Sequence, residues 1–166
     1  MPTSKTKKTP PAVLEMSILA ILPFASLALA AELTTAGYTA QVEPICHRNS
    51  TANEKILKNV KKDVKQGKLR PAATALAKAA TALNKTYAEL QVVPQPGAEE
   101  AKLAKWLGYV KKEASLLSAT GKALRANQKS KASHDETQLN HYANLANSTV
   151  FSFHFKYCKF EPSKYT

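Results

Sequence analysis

The chain has 166 residues, a formal net charge of +12 and 44% hydrophobic residues. That length suits one domain with a core of its own, and the lysine surplus points to anionic partners. Both methionines, Met1 and Met16, fall before residue 31, which excludes methionine-ligated haem or copper from the remainder.

Lys5, Lys7 and Lys8 open the sequence, and an apolar run from Met16 to Ala31 ends on Ala28-Leu29-Ala30. A basic start, an apolar stretch and a small-x-small close follow the order of a secretory signal. The rival reading is a retained membrane anchor. A spanning helix needs about 20 apolar residues. This run has 16, lies between Glu15 and Glu32 and is interrupted by Pro23. The first cysteine, Cys46, sits well past the run, which argues against a lipoprotein. The expected organisation is an export signal over 1–30 and one basic helical domain over 31–166. That domain holds 21 Lys/Arg and 11 Asp/Glu, a net charge of +10. A secreted, periplasmic or cell-envelope destination follows.

Helical spacing then runs nearly throughout. Val42, Ile45, Cys46, Ala52, Ile56, Val60 and Val64 form a stripe with helical spacing of three and four, apart from the adjacent pair Ile45-Cys46 and a gap of six after Cys46. Pro44 fits only near a helix start, so this helix is expected to begin between Tyr38 and Pro44 and to stop at Gly67. A second stripe is Leu69, Ala73, Leu76, Ala80, Leu83, Tyr87 and Leu90, ended by Val93-Pro-Gln-Pro-Gly97. A third is Leu103, Leu107, Val110, Ala114, Leu117, Gly121 and Leu124, with Glu99 and Glu100 suited to its first turn. After a polar break over 127–131, Ser133 and Glu136 read as a capping box. Leu139, Tyr142, Ala146, Val150, Phe153 and Tyr157 then form the fourth stripe. Within it, Phe151, Phe153, Phe155 and Tyr157 alternate with polar residues as a strand would. A lone strand would leave its backbone unpaired, so helix is the preferred reading there.

The expected fold is therefore all-α, an antiparallel up-down four-helix bundle. In that topology the start of the first helix and the end of the fourth share one end of the bundle. Cys46 in the first turns of one and Cys158 closing the other are placed to form a disulfide, as two cysteines in an oxidising compartment would. A nucleophilic Cys46 would need an oriented base, and the adjacent His47 points about 100° away on a helix.

Lys55, Lys58, Lys62 and Lys65 recur along the first helix opposite its core stripe, broadened by Lys61, Lys68 and Arg70. They form a candidate anion-binding face for lipid head groups or acidic wall polymers. A solvated helix surface is the plainer reading, since Glu54 and Asp63 dilute the row. Lys111, Lys112, Lys122, Arg125, Lys129 and Lys131 form a second basic region. No recognition motif and no interleaved aromatics accompany the lysines, so nucleic acid is not expected.

His134 and His141 are seven apart, whereas a zinc pair on one helix is usually four apart, and no second cluster completes a site. Asn49-Ser-Thr51, Asn84-Lys-Thr86 and Asn147-Ser-Thr149 match the N-glycosylation triplet but fall within expected helices. Trp106, Tyr109 and Tyr142 read as core or rim residues. The acids read as scattered over solvated faces, with no convergent carboxylate pair. No cofactor, metal site or enzymatic activity is expected.

At Tyr38-Thr-Ala-Gln-Val-Glu-Pro-Ile-Cys46-His-Arg-Asn49 the chain resembles a loose group of small exported bacterial helical proteins, mostly actinobacterial. These begin with an aromatic, an alanine-rich turn and Ile-Cys with a nearby Asn, and end near a second cysteine. The lysine-rich half of the first helix and the aromatic 151–160 stretch depart from that pattern. The resemblance implies an envelope or secreted helical protein and brings no activity. Two functional expectations remain. One is an exported, non-enzymatic module whose basic faces contact anionic envelope components, at the membrane surface or beside a retained signal. The other is a carrier-type bundle that holds a small apolar ligand between its helices.

Overall fold

A computed structural model describes residues 33–166; the expected signal over 1–30 lies outside them. The described residues form helices α1 (Thr35–Leu57), α2 (Val60–Lys65), α3 (Leu69–Leu90), α4 (Glu100–Arg125) and α5 (Lys129–Thr149), and no strand. The four long helices pack into an all-α bundle, as the apolar spacing requires. None of the described helices is long and apolar enough to cross a membrane.

The helix stops are local chemistry. Gly67 adopts φ 72° after α2, and the Lys68 amide donates to the Asp63 carbonyl at 2.8 Å. Asn127 does the same after α4 at φ 56°, with Gln128 donating to Ala123 at 2.9 Å. Both are left-handed closures in which otherwise orphaned carbonyls are paired.

Several boundaries differ from expectation. α1 begins at Thr35, capped by the Thr34 hydroxyl accepting from Gly37 N at 3.1 Å, so Pro44 and Cys46 lie in mid-helix. Proline is tolerated there because Pro44 and Ala40 are both exposed, and water solvates the carbonyl that proline leaves free. The first helix also breaks at Lys58–Asn59, after which α2 packs against α3 and buries Val60. α5 begins at Lys129, so Ser133 is not its cap; the Ser133 carbonyl instead accepts from the Thr137 hydroxyl.

The largest correction is at 151–157, which is neither helix nor strand. α5 stops at Thr149, Phe151–Phe153 form one 3₁₀ turn, and His154 turns left-handed at φ 53°. The bend drives Phe153 and Phe155 into the core against Tyr38 and Trp106, with ring centroids 5.2–6.5 Å apart. Aromatic burial outweighs the lost helical turn. Cys158 thus lies in a C-terminal tail rather than at the end of a helix.

α4 is central. It packs along α3 on one side and α5 on the other, while α1 rests on α3. α3 and α4 approach closely at Gly121, where an added Cβ would stand 3.0 Å from the Ala73 carbonyl oxygen and 3.3 Å from Leu76 Cβ. Gly121→Val is expected to lower stability by about 2 kcal/mol in urea denaturation, because backbone cannot yield as a side-chain end can.

Candidate functional site

In place of a tight α1–α5 contact, the tail from 150 to 166 covers the seam between these helices. Cys46 and Cys158 form a disulfide with Cα atoms 4.8 Å apart. The Glu43 carboxylate accepts from the backbone amides of Lys156 and Tyr157, the second at 3.1 Å. Beyond the bridge, Asn147 donates to the Phe160 carbonyl at 3.0 Å and accepts from its amide at 3.3 Å. The disulfide is the mark of an oxidising compartment.

Beneath this tail lies a cavity of about 330 Å³ between α1, α3, α4 and α5. Helical spacing assembles its polar lining. Asn49 and Asn53 stand one turn apart on α1, while Trp106, Val110 and Glu113 recur at four and three on α4. Asn53 and Glu113 are each only 2% exposed. Asn49 Oδ1, both Asn53 amide atoms, Trp106 Nε1 and Glu113 Oε1 find no hydrogen-bond partner among the described residues. Thr86, also in the lining, is already committed to the Ala82 carbonyl at 3.0 Å.

An unpaired buried polar group costs about 1–3 kcal/mol, and such groups are rare enough in folded proteins to need a cause. Here four of the residues that carry them line one cavity. Burial pushes the Glu113 carboxyl up to about 8, so it carries its proton at neutral pH. Tyr157, Phe160 and Tyr165 add aromatic wall, and Glu54, Glu161, Lys156, Lys159 and Lys164 stand around the opening. The lining is thus mixed, with oxygen acceptors in the majority among its unpaired atoms.

Sequence reasoning assigned Glu113 to a solvated face, read Asn49 as part of a glycosylation triplet and passed over Asn53. The signal was present in the spacing. Glu113 falls between Val110 and Leu117 on the apolar stripe. Asn53 continues the buried series Tyr38, Val42 and Cys46 before Leu57. Half-buried Ala52 and Ile56 and exposed Val64 drew the expected stripe away from that series.

The lysine row has a different fate. Lys55 lies in the last turn of α1, Lys58 caps it, and Lys62 and Lys65 belong to α2, all exposed. The break at 58–59 divides the row into two pairs. Lys55 also shares a shallow groove with Arg70 and Lys78 of α3. In the second basic region, Lys111 and Lys112 lie over the Tyr87 and Tyr142 rings at 5.6 and 5.5 Å. Those two lysines cover helix surface rather than form a separate patch. His134 and His141 are exposed on α5, and no group of three or more His, Cys, Asp or Glu residues among those described could hold a metal.

A second hollow of about 430 Å³ lies between α2, α3, α4 and α5, floored by Val60, Leu76 and Leu124. Among the described residues, no unpaired buried side-chain atom belongs to its lining. No family model matches the chain, and neither a curated protein nor a solved structure does.

Proposed function

We propose that this is an exported, non-enzymatic binding protein that holds a small polar ligand in the cavity beneath its C-terminal tail. The observation that supports it is the cluster of unpaired buried groups on Asn49, Asn53, Trp106 and Glu113 around one cavity. It modifies the carrier expectation in one respect: the site's specificity lies in polar groups, with aromatics as walls. The other carboxylates of the lining, Glu54 and Glu161, are exposed at the opening while Glu113 is buried, and no histidine is among the described lining residues, which favours holding a ligand over transforming one. Export rests on the Cys46–Cys158 bridge and on the resemblance to small exported helical proteins.

The reading is tested by thermal denaturation of the protein against a panel of small cations, neutral polyols and amides, and anions. At least one class should raise Tm, since a ligand at 100 times its Kd adds about 2.7 kcal/mol. No shift with any class would overturn it.

A second reading concerns the lysine row, which is fully solvated on α1 and α2. It would dock the protein on anionic phospholipid. Binding to vesicles rich in anionic lipid should then fall steeply between low and high salt, and changing Lys55, Lys58, Lys62 and Lys65 to glutamine should weaken it about tenfold or more. Unchanged binding by that variant would remove the row from any such role.

A further inference from the structure

The cavity's chemistry narrows its ligand. A carboxyl group 2% exposed, with no basic side chain among the described residues hydrogen-bonded or ion-paired to it, is held neutral by burial and becomes a counter-charge only when a cation stands beside it. Once Glu113 is ionised, the unpaired oxygens of Asn49, Asn53 and Glu113 outnumber the unpaired donors, which are Asn53 Nδ2 and Trp106 Nε1. A ligand that satisfies those oxygens brings N–H or O–H donors, and one that also balances the carboxylate is a cation. Trp106, Tyr157, Phe160 and Tyr165 line the same space, and an aromatic face, being electron-rich, attracts a cation rather than an anion. A volume of about 330 Å³ admits a molecule of metabolite size.

We propose that the cavity is a recognition site for a small organic ammonium ion, with the Glu113 carboxylate as its counter-charge and the Asn49 and Asn53 carbonyls as further acceptors. The proposal rests on the cavity being the ligand site and adds the ligand's class. Binding is then an exchange. The neutral Glu113 acid gives up its proton to solvent as the ammonium group arrives, and a charge pair replaces a buried neutral acid. The charge-bearing or titratable side chains that face the cavity are Glu54 from α1 and Lys156, Tyr157, Lys159, Glu161, Lys164 and Tyr165 from the tail; α3 contributes none. The basic ones are exposed at the opening, where Lys164 pairs with Glu161 and Lys156 lies over the Tyr157 ring.

The experiment is isothermal titration of the full protein with tyramine, with 4-propylphenol as its neutral counterpart and (4-hydroxyphenyl)acetate as its anionic one. Putrescine serves as a second amine. An amine should bind at least about tenfold more tightly than the neutral and anionic probes, and its affinity should rise by roughly tenfold from pH 6 to pH 7. In buffers of different ionisation heat, about one proton should leave per amine bound near pH 6. Glu113→Gln should lose at least about tenfold in amine affinity and lose the pH dependence, with its far-ultraviolet circular dichroism unchanged.

Equal binding of the three isosteres would overturn the proposal, as would amine binding without proton release. If neither amine binds more tightly than about 1 mM while another class in the thermal panel does, the ammonium assignment fails and the cavity reading stands. If nothing in the panel binds, both fail.

Discussion

Raising the pH from about 5 to 9 is expected to cost the protein a few kcal/mol of folding stability, and Glu113→Gln is expected to remove most of that loss. The carboxyl's ordinary value is 4.5, and burial raises it to about 8 in the folded state. Below pH 4.5 both folded and unfolded chains hold the proton, and the group is neutral to stability. Between the two values the unfolded chain ionises while the folded one stays protonated. Stability then declines by up to about 1.4 kcal/mol per pH unit and levels off above pH 8. Urea denaturation of parent and variant at several pH values isolates the contribution as their difference. The upper limit keeps clear of Tyr38, whose buried phenol is raised to about 12. A constant difference across the range would show that Glu113 does not titrate as a buried group.

The second large effect belongs to the disulfide. Cys46 and Cys158 are 112 residues apart, so the bridge restricts the unfolded chain over most of the domain. Loop-closure entropy for a ring of that size amounts to about 4–5 kcal/mol. Cys46→Ser with Cys158→Ser should therefore lower Tm by well over 10 °C for a domain of this size, against about 4–8 °C per kcal/mol in small domains. Intact mass with and without reductant checks the bridge itself, through a gain of about 2 Da on reduction. A small stability loss in the double variant would mean that the unfolded chain is already compact around these positions.

Much of the fold was legible because its apolar residues keep strict helical spacing. Leu103, Val110, Ala114, Leu117 and Leu124 are all buried on α4, as are Ala73, Leu76, Ala80, Leu83 and Leu90 on α3. Gly67 and the prolines at 94 and 96 broke the helices where their backbone preferences require. The cysteines were paired correctly, although both were assigned to the wrong local setting. Cys46 is mid-helix because Pro44 faces water, a circumstance no local rule contains. Cys158 is on a tail because Phe153 and Phe155 gain more from joining Tyr38 and Trp106 than from continuing α5. The site escaped notice for a related reason. Polarity is the usual marker of a solvated face, and Asn53 and Glu113 are polar residues in apolar registers. Spacing alone does not tell such a residue from one beside the stripe; packing of three helices against one another does.

Trp106 is the chain's only tryptophan, it is 1% exposed, and it stands in the cavity wall with the Phe155 ring 5.5 Å away. The molecule therefore carries an internal optical reporter whose fluorescence answers to one neighbourhood. Excitation selective for indole will see emission from a dry environment in the folded chain and from a wet one after unfolding. Because the unpaired indole N–H borders the same space as Glu113, a guest there, or a charge formed on that carboxylate, changes the field across the ring. Occupancy, protonation and unfolding can thus be followed by the colour of one side chain, with no label added.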